Sequence, residues 1–149
     1  MEIQLGDVGH IIQLAIAPVF LLTGVGTKLT VLTNRLGRII DRSRVLEDRV
    51  STAGMADMTD ALAELETLYQ RAKLINRAIT LSTICGLLIC MVIATLFVGD
   101  ALNLALAQII ALFFVLGMLS LIGSFVYLLR EIFIATKTLS MRHLSSRKE

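Results

Sequence analysis

At 149 residues the chain is no longer than one ordinary domain, yet 56% of it is hydrophobic, only 5% is aromatic, and its mean hydropathy is +0.80. That is too apolar for a water-soluble globule. Fourteen basic and twelve acidic residues leave a formal charge of +2, which is no basis for nucleic-acid binding, so the placement of the charges matters more than their sum.

The first apolar run covers about residues 8–28, with Leu29, Val31 and Leu32 extending it. A bilayer core about 30 Å thick needs about 20 apolar residues as helix, because backbone polar groups in lipid must be bonded within their own segment. The leading MEIQLGDVGH has Glu2 and Asp7 but no Lys or Arg, unlike the basic start of a signal peptide, so a retained span is expected. His10 and Gln13 sit a turn apart near its outer end. Polar groups in a span are costly enough to mark function, although at this depth His10 can reach interfacial water. Pro18 lacks a backbone donor and is expected to kink the span. Thr23, Thr27, Thr30 and Asn34 share a face where Gly24 and Gly26 thin the helix. The hydroxyls there either bond back to the preceding turn or offer a polar contact to another helix or to the mouth of a pore.

No proline or turn cluster follows Thr23 until the charged surface has begun. Leu29, Leu32, Leu36, Ile39, Ser43, Leu46 and Val50 alternate steps of three and four, a heptad seam, with Arg35, Arg38, Asp41, Arg42, Arg44, Glu47, Asp48 and Arg49 between them. One helix is therefore expected to leave the membrane, its lipid-facing surface narrowing to a stripe, with Lys28 at the interface. The stretch STAGMADMT, residues 51–59, breaks the pattern with Gly54 and offers Thr52 and Asp57 as caps. A second seam is expected at Met58, Leu62, Leu65, Tyr69, Ala72 and Asn76. Together the seams predict an antiparallel helical hairpin over about residues 29–77, held more by its seam than by charge pairs.

Residues 79–98 form an uncharged second span, and a third covers about 104–129. The few residues around Gly99 and Asp100 make these two antiparallel neighbours. Ala78, Ser82, Gly86, Cys90 and Ala94 recur every fourth residue and are all small, which favours close approach of helix backbones, within the chain or between subunits. Gly117, Ser120 and Ser124 make a shorter version. Cys85 and Cys90 lack CxxC spacing and read as packing residues rather than a redox pair or zinc site. Gln108 lies toward the same side as Gln13 and is a candidate to meet it. A basic tail covers residues 130–149, and its final stretch SMRHLSSRKE is expected to be a mobile, lipid-facing end.

All the basic residues fall between Lys28 and Arg77 or after the third span. Cytoplasmic segments retain such charges, so the N-terminus is expected outside, and the hairpin and C-terminus inside. The sequence contains no Gly-rich phosphate loop, HExxH helix, nucleophile elbow or Cys/His cluster. No enzymatic activity and no cofactor are expected. His10 and His143 fall on opposite sides of the membrane under this topology and cannot share a site.

The stretch APVFLLTGVGTKLTVLTNRLGRIIDR, holding Pro18, Gly24, Thr33, Asn34, Arg35, Arg38, Asp41 and Arg42, resembles the bacterial family labelled domain of unknown function 2721. The hairpin ending in LINRAITLSTICGLLIC and the final pair of spans share the resemblance, which covers nearly the whole chain. It implies a small integral protein of the bacterial cytoplasmic membrane and brings no activity with it.

The fold class expected is thus all-α: a polytopic membrane protein with three transmembrane helices and a cytoplasmic hairpin between the first and second. The leading function is self-association through the first span and its extension, with Thr23, Thr27, Thr30, Asn34, Arg38 and Asp41 as the polar face and an ion-conducting pore as one form of the assembly. The alternative is a scaffold or accessory subunit whose hairpin binds a protein partner. A third reading, an enzyme acting on lipid head groups through Arg38, Asp41 and Arg42, competes with ordinary salt links along and across helices.

Overall fold

A computed structural model describes residues 5–52, 55–102 and 105–145, with side chains described for residues 9–10, 12–51, 58–59, 61–102 and 105–136. Three helices follow one another: α1 (Leu5–Thr52), α2 (Met55–Ala101) and α3 (Ala107–Ser145). Each is long and apolar enough to cross a membrane. At 48, 47 and 39 residues, each is about twice the length a bilayer core requires. The helix α1 continues unbroken past Pro18 and through the stretch from Gly24 to Arg38. Nothing in that stretch offers the backbone a better partner: Thr23, Thr27 and Thr30 donate their hydroxyls to the carbonyls of Val19, Thr23 and Gly26, each four residues back, at 3.3, 3.1 and 3.2 Å. These bonds spend the side-chain donors inside the helix.

The chain forms two compact units, Met1–Thr30 with Leu81–Gly123, and Val31–Thr80 with Ser124–Glu149. In the first, Val25, Cys85 and Ile89 are buried among Leu21, Leu22, Leu29, Ile93 and Leu121. Small residues set the approach. A Cβ added at Gly117 would stand 3.4 Å from Ile89 Cδ1 and 3.6 Å from Leu88 Cβ, and one at Gly86 would stand 3.8 Å from side chains of Leu22 and Val25. Ser120 donates its hydroxyl to the Leu81 carbonyl at 2.7 Å.

In the second unit Leu32, Ile39 and Leu46 of α1 are buried with Leu68, Ile75 and Ala78 of α2, and Leu36, Ala61, Leu65, Ala72, Ile79, Tyr127 and Leu128 pack against them. The α1 side of the seam is as the heptad spacing predicts. On α2 it differs. The packed line runs Ala61, Leu65, Leu68, Ala72, Ile75, Ile79, whereas Met58, Leu62 and Tyr69 are exposed. Both lines alternate steps of four and three and share Leu65 and Ala72, but only the packed one continues into Ile75 and Ile79, where the other reaches Tyr69 and Asn76. A phenol and an amide would enter the core without partners, at a cost of about 1–3 kcal/mol each. Exposed, Tyr69 instead donates to Glu47 Oε1 at 2.8 Å.

The third helix continues past Leu129, where the apolar stretch of the sequence ends, to Ser145. Residues up to Thr136 carry ordered contacts: Ser124 donates to the Ala78 carbonyl at 2.7 Å, and Glu131 is fully buried. The start of the basic tail is therefore built structure. The side chains of SMRHLSSRKE, His143 included, lie outside the described residues.

Candidate functional site

The residues singled out in the sequence separate into three places. His10 and Gln13 are exposed, as is Gln108; the side chain of Asp7 lies outside the described residues. Thr23, Thr27, Thr30, Asn34, Arg38 and Asp41 are all exposed along α1. Of the small residues on α2, Ala78 and Ser82 are buried and Gly86 is partly so, while Cys90 and Ala94 face outward. A step of four residues advances 400° around a helix that turns 360° in 3.6 residues, so an every-fourth stripe drifts about 40° per step. The line that stays buried on α2 is Ile75, Ala78, Ser82, Cys85, Ile89 and Val92, stepping three and four.

The most strongly built polar group was not among those residues. Glu131 has no exposed side-chain surface, and two arginines converge on it. Arg71 donates from Nε and Nη2 to Oε1 at 3.0 and 2.8 Å. Arg35 brings Nη2 to 2.9 Å from Oε2, but without the alignment of a hydrogen bond, so Oε2 has a charge partner and no donor directed at it. Both arginines are mostly buried, with about a quarter of the side chain exposed, 26% for Arg35 and 23% for Arg71. A lone carboxylate here would face a desolvation cost of several kcal/mol; two guanidinium groups offset it. A step further along the hairpin, Arg42 donates from Nε and Nη2 to Glu64 Oε1 at 3.1 and 2.9 Å. Arg77 lies over the Tyr127 ring, 5.8 Å from its centroid, within cation–π range.

The sequence did carry a signal for Glu131. Gly117 and Ser124 are buried on α3 and stand seven residues apart. One more step of seven reaches Glu131. Ending the span at Leu129 hid that step.

Between Arg35, Arg38, Ile39, Arg42, Leu68 and Arg71 lies an open cleft of about 210 Å³. Arg38 has no ion-pair or hydrogen-bond partner among the described residues. No group of His, Cys, Asp and Glu among the described residues is arranged to hold a metal ion.

The family described as protein of unknown function (DUF2721) matches residues 15–141, most of the chain. The chain belongs to this family. The matched stretch takes in Arg35, Arg71 and Glu131, most of the first apolar stretch and all of the other two. No curated protein matches the chain, and no solved structure does.

Proposed function

We propose that this member of the family is a non-enzymatic integral membrane protein of the bacterial cytoplasmic membrane that self-associates through the outward face of α1. The N-terminus lies outside, and residues 29–77 and the C-terminus lie inside. The orientation is supported by the confinement of every Lys and Arg to Lys28–Arg77 and the chain after the third span.

The observation that carries self-association is a second periodic line on α1. Thr23, Thr27, Thr30, Asn34, Gly37 and Asp41 step by four and three, as the buried line does, but on the other side of the helix: each of Thr23, Thr30 and Gly37 precedes a buried residue, Val25, Leu32 or Ile39, by two positions, about 160° around. Gly24, Gly26 and Gly37 have nothing within 4 Å of where a Cβ would stand. In lipid, helices associate through small-residue faces that let backbones approach, because water supplies no drive. A second copy fits such a face, since a two-fold contact sets the same residues against themselves. The threonine hydroxyls are already bonded to their own helix, so the face explains assembly without requiring a conduit.

The accessory-subunit reading has its own support. Met58, Leu62 and Tyr69 leave an exposed line on α2, in the segment that the proposed orientation places in water, where a distinct protein could dock.

Native mass spectrometry in mild detergent, with crosslinking in membranes, decides between them. The wild type is expected as a multimer, and Gly24→Leu with Gly26→Leu as a folded monomer, because a Cβ at either position has open space around it. A wild type that stays monomeric in detergent and uncrosslinked in membranes overturns self-association; recurrent capture of one different protein at Leu62 would then favour the accessory subunit.

A further inference from the structure

The arginine cleft of the second unit goes beyond assembly and does not depend on it. Four guanidinium groups, those of Arg35, Arg38, Arg42 and Arg71, line it, and two carboxylates, Glu131 and Glu64, are paired to them. That leaves an excess of two positive charges. Their donors are unequally used. Arg71 and Arg42 each commit Nε and Nη2 to a glutamate, whereas Arg35 makes no aligned hydrogen bond and Arg38 no bond at all among the described residues. Arginine retains its charge at any physiological pH and presents a planar fork of N–H donors that matches an oxyanion.

We propose that this cleft binds a phosphate group carrying close to two negative charges: a phosphomonoester head group of a membrane lipid, or free inorganic phosphate. A phosphomonoester carries about −1.5 to −2 at neutral pH, which the excess of two positive charges balances. At about 30 Å³ per water, the 210 Å³ cleft holds roughly seven waters, enough for one phosphate group and its remaining hydration. Glu131 acts here as a positioning residue. By holding Arg71 through two bonds and drawing Arg35 to 2.9 Å, it removes part of the ordering cost that free arginines would incur on binding. Arg38 supplies the uncommitted contact. Burial of Arg35 and Arg71 lowers the local dielectric and strengthens attraction to the anion compared with surface arginines.

The test uses the full chain in nanodiscs in two arms: titration with inorganic phosphate in zwitterionic lipid, followed by calorimetry, and retention of phosphatidic acid from mixed nanodiscs, followed by native mass spectrometry. Saturable binding is expected in at least one arm, and the arm that responds identifies the source. Arg38→Gln should weaken it about tenfold, the loss of one charge-assisted contact, while leaving the melting temperature unchanged because Arg38 is exposed and unpaired. Arg44→Gln, an exposed arginine on the same helix that does not line the cleft, should leave binding as in the wild type. Absence of saturable binding in both arms, or equal weakening by the two substitutions, overturns the proposal.

Discussion

Ser120 and Ser124 stand a turn apart on α3, and each donates its hydroxyl to a carbonyl of α2 at 2.7 Å, yet they belong to different units with different means of cohesion. Around Ser120 the contacts depend on missing side chains: Gly117 and Gly86 admit Ile89, Leu88, Leu22 and Val25 at ordinary van der Waals range or slightly closer. Around Ser124 the helices combine an aliphatic seam with a buried carboxylate held by two arginines. One line on α3, taken in steps of seven, passes from Gly117 through Ser124 to Glu131. At the first position the helix leaves out a side chain, and at the last it buries a charge. Under the proposed orientation, one helical period serves two solvents. In lipid, close backbone packing does what water cannot. In the segment that this orientation places in water, burial of Leu and Ile contributes about 25 cal/mol per Å², and a charge can be buried if its partners are buried with it.

The largest effect that can break this comparison lies at Glu131. Glu131→Ala leaves Arg35 and Arg71 mostly buried without their counter-charge and is expected to destabilise the protein by about 3–5 kcal/mol, read from chemical denaturation in detergent. Replacing all three members, Glu131→Leu with Arg35→Met and Arg71→Met, should recover most of that loss. If the triple variant is as unstable as the single one, charge pairing is not what holds this part of the molecule.

A smaller effect tests the other unit. Gly117→Leu adds a branched side chain where a Cβ alone already stands 3.4 Å from Ile89 Cδ1, and overpacking of this kind costs about 1–3 kcal/mol. The same substitution at Gly24, with open space around it, should leave the stability of the single chain near that of the wild type. Equal losses at the two glycines would erase the distinction between a packed and an open face.

The smallest effect concerns pH. The hydrogen bond to Glu47, and then the negative charge of that carboxylate, push the Tyr69 phenol above its ordinary value of 10.0. Since the folded state favours the protonated phenol, the bond contributes its stability below pH 10 and loses it as pH rises through the raised value. Wild type and Tyr69→Phe should therefore differ slightly in melting temperature at neutral pH and converge in strong alkali. A difference that persists unchanged in alkali would show that the hydroxyl bond is not its source.

How much of this was legible follows from the range of each interaction. The unbroken α1, the three apolar stretches and the Leu32, Ile39, Leu46 line are written in local sequence, because helix continuity and heptad spacing involve residues within a few turns of one another. The same holds for the back-bonded threonines. On α2, two overlapping seams satisfied the same spacing rule, and only the partners supplied by α1 and α3 decided that Leu68 and Ile75 go inside and Tyr69 and Leu62 outside. Glu131 is the sharper case. Beside Arg130 in a basic tail it reads as a solvated charge, and nothing within a few residues contradicts that. Its burial depends on Arg71, 60 positions away, and on Arg35, still further. A carboxylate's environment is set by the charges around it in space, and those are assembled only when three distant parts of the chain come together.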